Sequence, residues 1–268
     1  MTTVDIFALA LIVFLGIPHG SLDGVIARRL GWSKTLTEQI SFNVIYLSIA
    51  ILVVIVWFYM PLISLSIFLV ISGIHFGMSD ISKIQNTGSS YYFPLISHAG
   101  LIPVALPVIQ KDYVIEVFTI LSNNTASKII FSTLETIFPL YLVIVSAYFL
   151  YSIYNKKWLF NAVSLIILIL VAFLIPPLLT FALYFCFWHS RGHMLRIWQR
   201  VKINERRSYI LETVGYTIFT WFILASGLWL LDGSLNESII RMVFIGLAAL
   251  TVPHMILVDF WANRRKVL

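Results

Sequence analysis

The sequence predicts an all-α, polytopic membrane helical bundle of about eight to nine transmembrane helices. Three observations predict it. The 268 residues are 60% hydrophobic and only 11% charged, with a mean hydropathy of +0.94. A soluble domain holds about 45–50% apolar and about 25% charged residues, so a chain this apolar has no polar coat for water and needs lipid as its solvent. The apolar residues also fall in long unbroken runs rather than the short alternating stretches of a transmembrane barrel.

Taken in order, nine candidate spans follow: 3–19, 40–60, 61–81, 91–109, 130–153, 158–175, 177–197, 209–231 and 238–261. Each is close to the ~20 residues that cross a bilayer core. The first begins beside Met1 with no basic segment ahead of it and with Asp5 inside it, which predicts an uncleaved helix. Pro61 separates the second from the third. The Pro176-Pro177 pair separates the sixth from the seventh, because a residue before proline avoids the α region. The more polar stretch 110–128 reads as an interfacial helix or a loop. No internal repeat or low-complexity tract divides the chain, so residues 1–268 read as a single integral membrane catalytic domain.

Lys and Arg placement orients this series. With the N-terminus outside and the C-terminus cytoplasmic, the inside loops and flanking helix ends hold Arg28, Arg29, Lys34, Lys83, Lys156, Lys157, Arg191, Arg196, Arg200, Lys202, Arg206, Arg207, Arg264, Arg265 and Lys266. Only Lys111, Lys128 and Arg241 stay outside. The net charge of +6 therefore reports topology and calls for no nucleic-acid partner. One cysteine, Cys186, excludes a disulfide framework and a cysteine-based metal site.

Six histidines remain: His19, His75, His98, His189, His193 and His254. Under the same topology all six fall in the inside half of the membrane. Ionisable groups at that depth are costly and mark functional sites. A cluster of neutral imidazoles is a natural site for Fe, Zn or Cu. His189 and His193, four apart, share a helix face and can grip one ion. The segment Gly16-Ile17-Pro18-His19-Gly20-Ser21-Leu22-Asp23 is expected to break a helix beside a histidine, with Gly20 allowing a tight bend or close approach. His75-Phe76-Gly77-Met78-Ser79-Asp80 repeats the theme of His, Gly and Asp. Asp23 and Asp80 are placed either to accept a hydrogen bond from a ligand imidazole or to mark the membrane boundary and pair with Arg28 or Lys83. The aromatic run from Phe181 to Trp188 either lines an apolar tunnel or packs the core.

The chain has no HExxH, G-x-S-x-G, GxGxxG or P-loop. Six histidines are too few for the dense boxes of membrane di-iron enzymes, and a mononuclear site with about four His ligands fits the inventory. A site within the bilayer favours a lipid-soluble substrate that enters sideways. A His-lined metal-ion or proton transporter and a membrane zinc hydrolase acting on a lipid are the rival classes. Few polar residues in the outer halves of the spans disfavour the transporter.

The ordered set Pro18-His19-Gly20-Ser21-Leu22-Asp23, His75-Phe76-Gly77-Met78-Ser79-Asp80, His189-Ser190-Arg191-Gly192-His193 and Pro253-His254 resembles the Brp/Blh family of β-carotene 15,15′-dioxygenases over nearly the whole chain. The resemblance implies a non-haem Fe(II) cofactor and cleavage of β-carotene by O₂ at its central double bond, giving two all-trans-retinal. It implies His19, His75, His189 and His193 as the catalytic metal ligands, with His254 matching a further histidine of the set. His98 matches no ligand motif. It also implies a bacterial or archaeal cell membrane, membrane lipid around the site, and a microbial rhodopsin as recipient of the retinal.

Overall fold

The computed structural model describes residues 1–32, 34–82, 84, 88–229, 231 and 233–262. Lys83, Arg264, Arg265 and Lys266, used above to orient the chain, lie outside the described residues. The described residues are helical almost throughout and contain no strand. The chain is a polytopic helical membrane protein.

Among the described residues seven helices are long and apolar enough to cross a bilayer: Thr3–Arg29, Leu36–Tyr59, Pro61–Asp80, Asn124–Tyr154, Lys156–Leu174, Ile203–Leu228 and Leu235–Ala262. An eighth is added if Gly88–Ala99 and Leu101–Ile109, bent by 44°, count as one span. The expected seventh span, 177–197, is not among them. It runs as Pro177–Leu183, a π-helical turn Tyr184–Ser190, and Arg191–Gln199. His189, Arg191, His193 and Arg196 break its apolar run. The polar stretch after residue 110 is a helix, Lys111–Leu121.

Local chemistry explains the boundaries. Thr2 and Thr35 each cap a helix reciprocally with a carboxylate three residues on, Asp5 and Glu38, which satisfies otherwise orphaned N–H groups. Asn123 caps the helix that follows it. Ile175, ahead of the proline pair, is extended at φ −117 and ψ 141, so the two neighbouring helices stop and restart there.

The expectation of a helix break at Pro18 is corrected. Thr3–Arg29 continues through it by changing its winding, from a π-helical stretch Ile12–Gly16 to a 3₁₀ stretch Ile17–Leu22. Pro18 sits in the first turn of the 3₁₀ stretch, where a missing N–H costs little. Gly20, expected to permit a close approach, has no neighbour within 4 Å of where a Cβ would stand.

The chain divides into two compact units, Met1–Met60 with Phe185–Leu268, and Pro61–Tyr184. In the first unit, Leu235–Met255 packs along Leu36–Tyr59, and the 3₁₀ stretch holding His19 packs against Arg206–Leu228. Leu22, Val25 and Ile26 meet Ile197, Val201, Leu257 and Val258 in its core. In the second unit, Pro61–Asp80 and Tyr92–Ala99 are the most closely associated pair. Gly73 and Gly77 make this possible: a Cβ would stand 2.6 Å from the Ala99 carbonyl oxygen at Gly73, and 2.9 Å from both Ala99 N and Leu95 O at Gly77. Small residues four apart let membrane helices approach backbone to backbone. Outward-facing Ile, Leu, Val and Phe side chains cover the long helices and present the surface that lipid solvates.

Candidate active site

Four of the six imidazoles gather in the first unit. His19 comes from the 3₁₀ stretch of the first helix, His189 from the π-helical turn, His193 from the next helix and His254 from the end of Leu235–Met255. All four are buried. The His19 ring lies edge-on to its neighbours, with centroids 5.6 Å from His189, 5.9 Å from His193 and 5.2 Å from His254. His193 and His254 are also 5.2 Å apart. Phe185 closes one side, 5.2 Å from the His19 ring and stacked on His189 at 6.0 Å. Three of the irregular windings in the chain fall on or next to these histidines, as π and 3₁₀ segments often do at functional sites.

Hydrogen bonds fix two of the rings. His19 Nδ1–H donates to the Gly16 carbonyl oxygen at 2.5 Å, and Ser190 Oγ lies 3.3 Å from the same nitrogen. His254 Nδ1–H donates to the Asp23 carboxylate, at 2.8 Å from Oδ1 and 3.0 Å from Oδ2. In each ring Nε2 is then the nitrogen carrying the lone pair, the tautomer in which an imidazole binds a metal through Nε2. Asp23 in turn accepts from Tyr46 Oη at 2.8 Å.

The donor chemistry can be tested against an ion. With N–metal bonds of about 2.0–2.1 Å, the centroids of two imidazoles sharing one ion at tetrahedral angles are roughly 5 Å apart. The separations around His19 are of that size, and the buried donors are neutral imidazoles with a buried carboxylate behind one of them. Among the described residues no group of three or more His, Cys, Asp or Glu side chains is placed to hold a metal ion. The donor types and the two fixed tautomers are those that suit a metal chemically.

The second unit holds His75 and His98, both buried. His75 lies on Pro61–Asp80, its ring 6.1 Å from Phe76, which meets Tyr184 edge-on at 5.4 Å. Asp80 ends that helix. Its Oδ2 accepts from Tyr184 Oη at 2.9 Å and lies 3.3 Å from His98 Nδ1, and its carbonyl oxygen accepts from Asn161 Nδ2 at 3.2 Å. His98, which carries no motif in the sequence, is thus the imidazole that Asp80 meets.

Both aspartates therefore do accept from an imidazole, but from a histidine brought in by folding. Arg28 is committed elsewhere, to Glu212 at 2.6 Å. The two units use the same trio, a buried carboxylate between a tyrosine hydroxyl and a histidine Nδ1. Sequence reasoning missed Tyr46 and read Tyr184 only as part of the aromatic run from Phe181 to Trp188. Their one signal was a hydroxyl placed in an otherwise apolar run, Ile45-Tyr46-Leu47 and Leu183-Tyr184-Phe185.

The family whose model matches the chain, over residues 10–262, is described as beta-carotene 15,15′-dioxygenase. A protein of that name from an uncultured marine bacterium, 66A03, is 38% identical over 262 residues, which cover 96% of this chain and 94% of the relative. No solved structure matches the chain.

Proposed function

Since the chain belongs to the beta-carotene 15,15′-dioxygenase family, we propose that it cleaves β-carotene with O₂ at the central 15,15′ double bond, giving two all-trans-retinal, as a non-haem Fe(II) enzyme. The observation that carries the reading is the gathering of the His189 and His193 rings around His19, at centroid distances of 5.6 and 5.9 Å, inside a chain whose surroundings are lipid. His19, His189 and His193 hold the iron from the first unit. His75, the remaining histidine of the motif set, is buried on Pro61–Asp80 in the second unit.

When bound, Fe(II) supplies the O₂ chemistry that the side chains present cannot perform. The protein's part is different. The Gly16 carbonyl oxygen accepts from His19 Nδ1–H and so orients that ring. Phe185 packs on two of the rings and keeps water from them. A low-dielectric, apolar shell suits a long hydrocarbon, which reaches the site from the membrane without crossing water.

The same proposal places the N-terminus outside a bacterial or archaeal cell membrane and the C-terminus in the cytoplasm, supported by the Lys and Arg asymmetry, with 177–197 counted as a crossing despite its polar half. A microbial rhodopsin is the proposed recipient of the product. The test is expression in β-carotene-producing cells followed by pigment analysis. Retinal accumulating as carotene disappears is the expected result. Unchanged carotene in aerated, iron-replete cells contradicts the proposal, and bleaching without retinal moves the cleavage to another bond.

A further inference from the structure

Asp23 is 3% exposed, and its partners are Tyr46 and His254 rather than a lysine or arginine. A buried carboxylate without a cationic partner is costly, the more so inside a membrane protein. Both of its oxygens are nevertheless engaged: His254 Nδ1 reaches both, and Tyr46 Oη donates to one while also lying 3.3 Å from the Leu250 carbonyl oxygen. That second contact ties Tyr46 to the turn preceding His254. The helix Leu36–Tyr59 thereby fixes the position of a carboxylate on one helix and of an imidazole on another.

We infer that Tyr46 and Asp23 form a positioning chain that makes His254 an additional imidazole ligand of the first unit's metal site. Tyr46 holds the carboxylate in register. Asp23 accepts the hydrogen bond of His254 Nδ1–H, orients the ring and raises the basicity of Nε2. The neighbours of that ring are His19 and His193, each at 5.2 Å. A carboxylate behind a neutral imidazole contributes negative charge towards a divalent ion without touching it. The recurrence of the trio at Asp80, Tyr184 and His98 marks it as a device this chain uses to set an imidazole. The inference rests on the proposed metal site.

The experiment uses the purified full-length protein. Fe(II) affinity is measured by competition with a chelator, and Co(II) is added as an optical probe of the ligand set. Thermal unfolding of each variant is followed alongside. Tyr46→Phe keeps the ring and removes only the hydroxyl; it is expected to weaken Fe(II) binding about tenfold, and Asp23→Asn by about 10–100-fold. Both should shift the Co(II) spectrum, which a merely structural loss in a folded protein would leave unchanged. Asp23→Glu should recover part of the affinity. Affinity and spectrum identical to the parent in folded Tyr46→Phe and Asp23→Asn overturn the inference while leaving the metal site standing. A parent protein that takes up neither ion overturns the metal reading itself, and this inference with it.

Discussion

His254 and Asp23, 231 residues apart in the chain, meet through a hydrogen bond of 2.8 Å in the buried part of the first unit. That contact closes the segment carrying His19 onto the end of the last long helix. It places a carboxylate one residue layer behind the imidazole cluster. The account of function follows from this arrangement and makes separable predictions.

Removing an imidazole from the cluster should remove the metal. His189→Ala and His19→Ala are expected to cut carotene cleavage by more than the roughly 10–100-fold that loss of even an outer partner costs a metal site. Retinal yield in carotene-producing cells, with the amount of folded protein checked by size-exclusion chromatography, tests this.

The polar trio of the second unit should show in stability. Tyr184→Phe leaves the Asp80 carboxylate short of a buried donor, a loss of about 1–3 kcal/mol. A lower unfolding temperature in detergent is the expected result. Asp80→Ala removes the acceptor that His98 and Tyr184 share and should cost at least as much.

The helix approach in the second unit depends on a missing side chain. Gly77→Ala puts a methyl 2.9 Å from backbone atoms that cannot rotate away, so overpacking should cost about 1–3 kcal/mol. Gly20→Ala, with open space around it, should leave the unfolding temperature nearly unchanged. Thermal unfolding of the two variants side by side tests the contrast.

Metal identity separates the dioxygenase from a zinc hydrolase. Chelation should abolish carotene cleavage, and Fe(II) with O₂ should restore it. Zn(II) should not, since it lacks the redox chemistry O₂ requires. Activity restored by Zn(II), or persisting without O₂, would favour hydrolysis.

Much of the fold was legible because lipid imposes simple rules. Apolar runs of bilayer length and the breaks at Pro61 and Pro176-Pro177 appear in the structure where the sequence places them. The winding of 177–197 was not legible: its length suggests one uniform helix, whereas a π-helical turn falls at Tyr184–Ser190 and His189, Arg191 and His193 lower its apolarity. The winding change at Pro18 was not legible, since proline in a first turn leaves a helix intact. In the site, His189 and His193 were joined by their spacing, and both lie against His19. The partners of Asp23 and Asp80 were hidden because folding, rather than sequence proximity, brings Tyr46, His254, Tyr184 and His98 to them.

The most direct measurement is the iron content of the purified protein, by elemental mass spectrometry, beside that of its His19→Ala and His189→Ala variants. Stoichiometric iron in the parent and near-complete loss in both folded variants is the predicted result. A parent without iron after reconstitution, or variants that retain it in full, would contradict the claim that these imidazoles hold the metal.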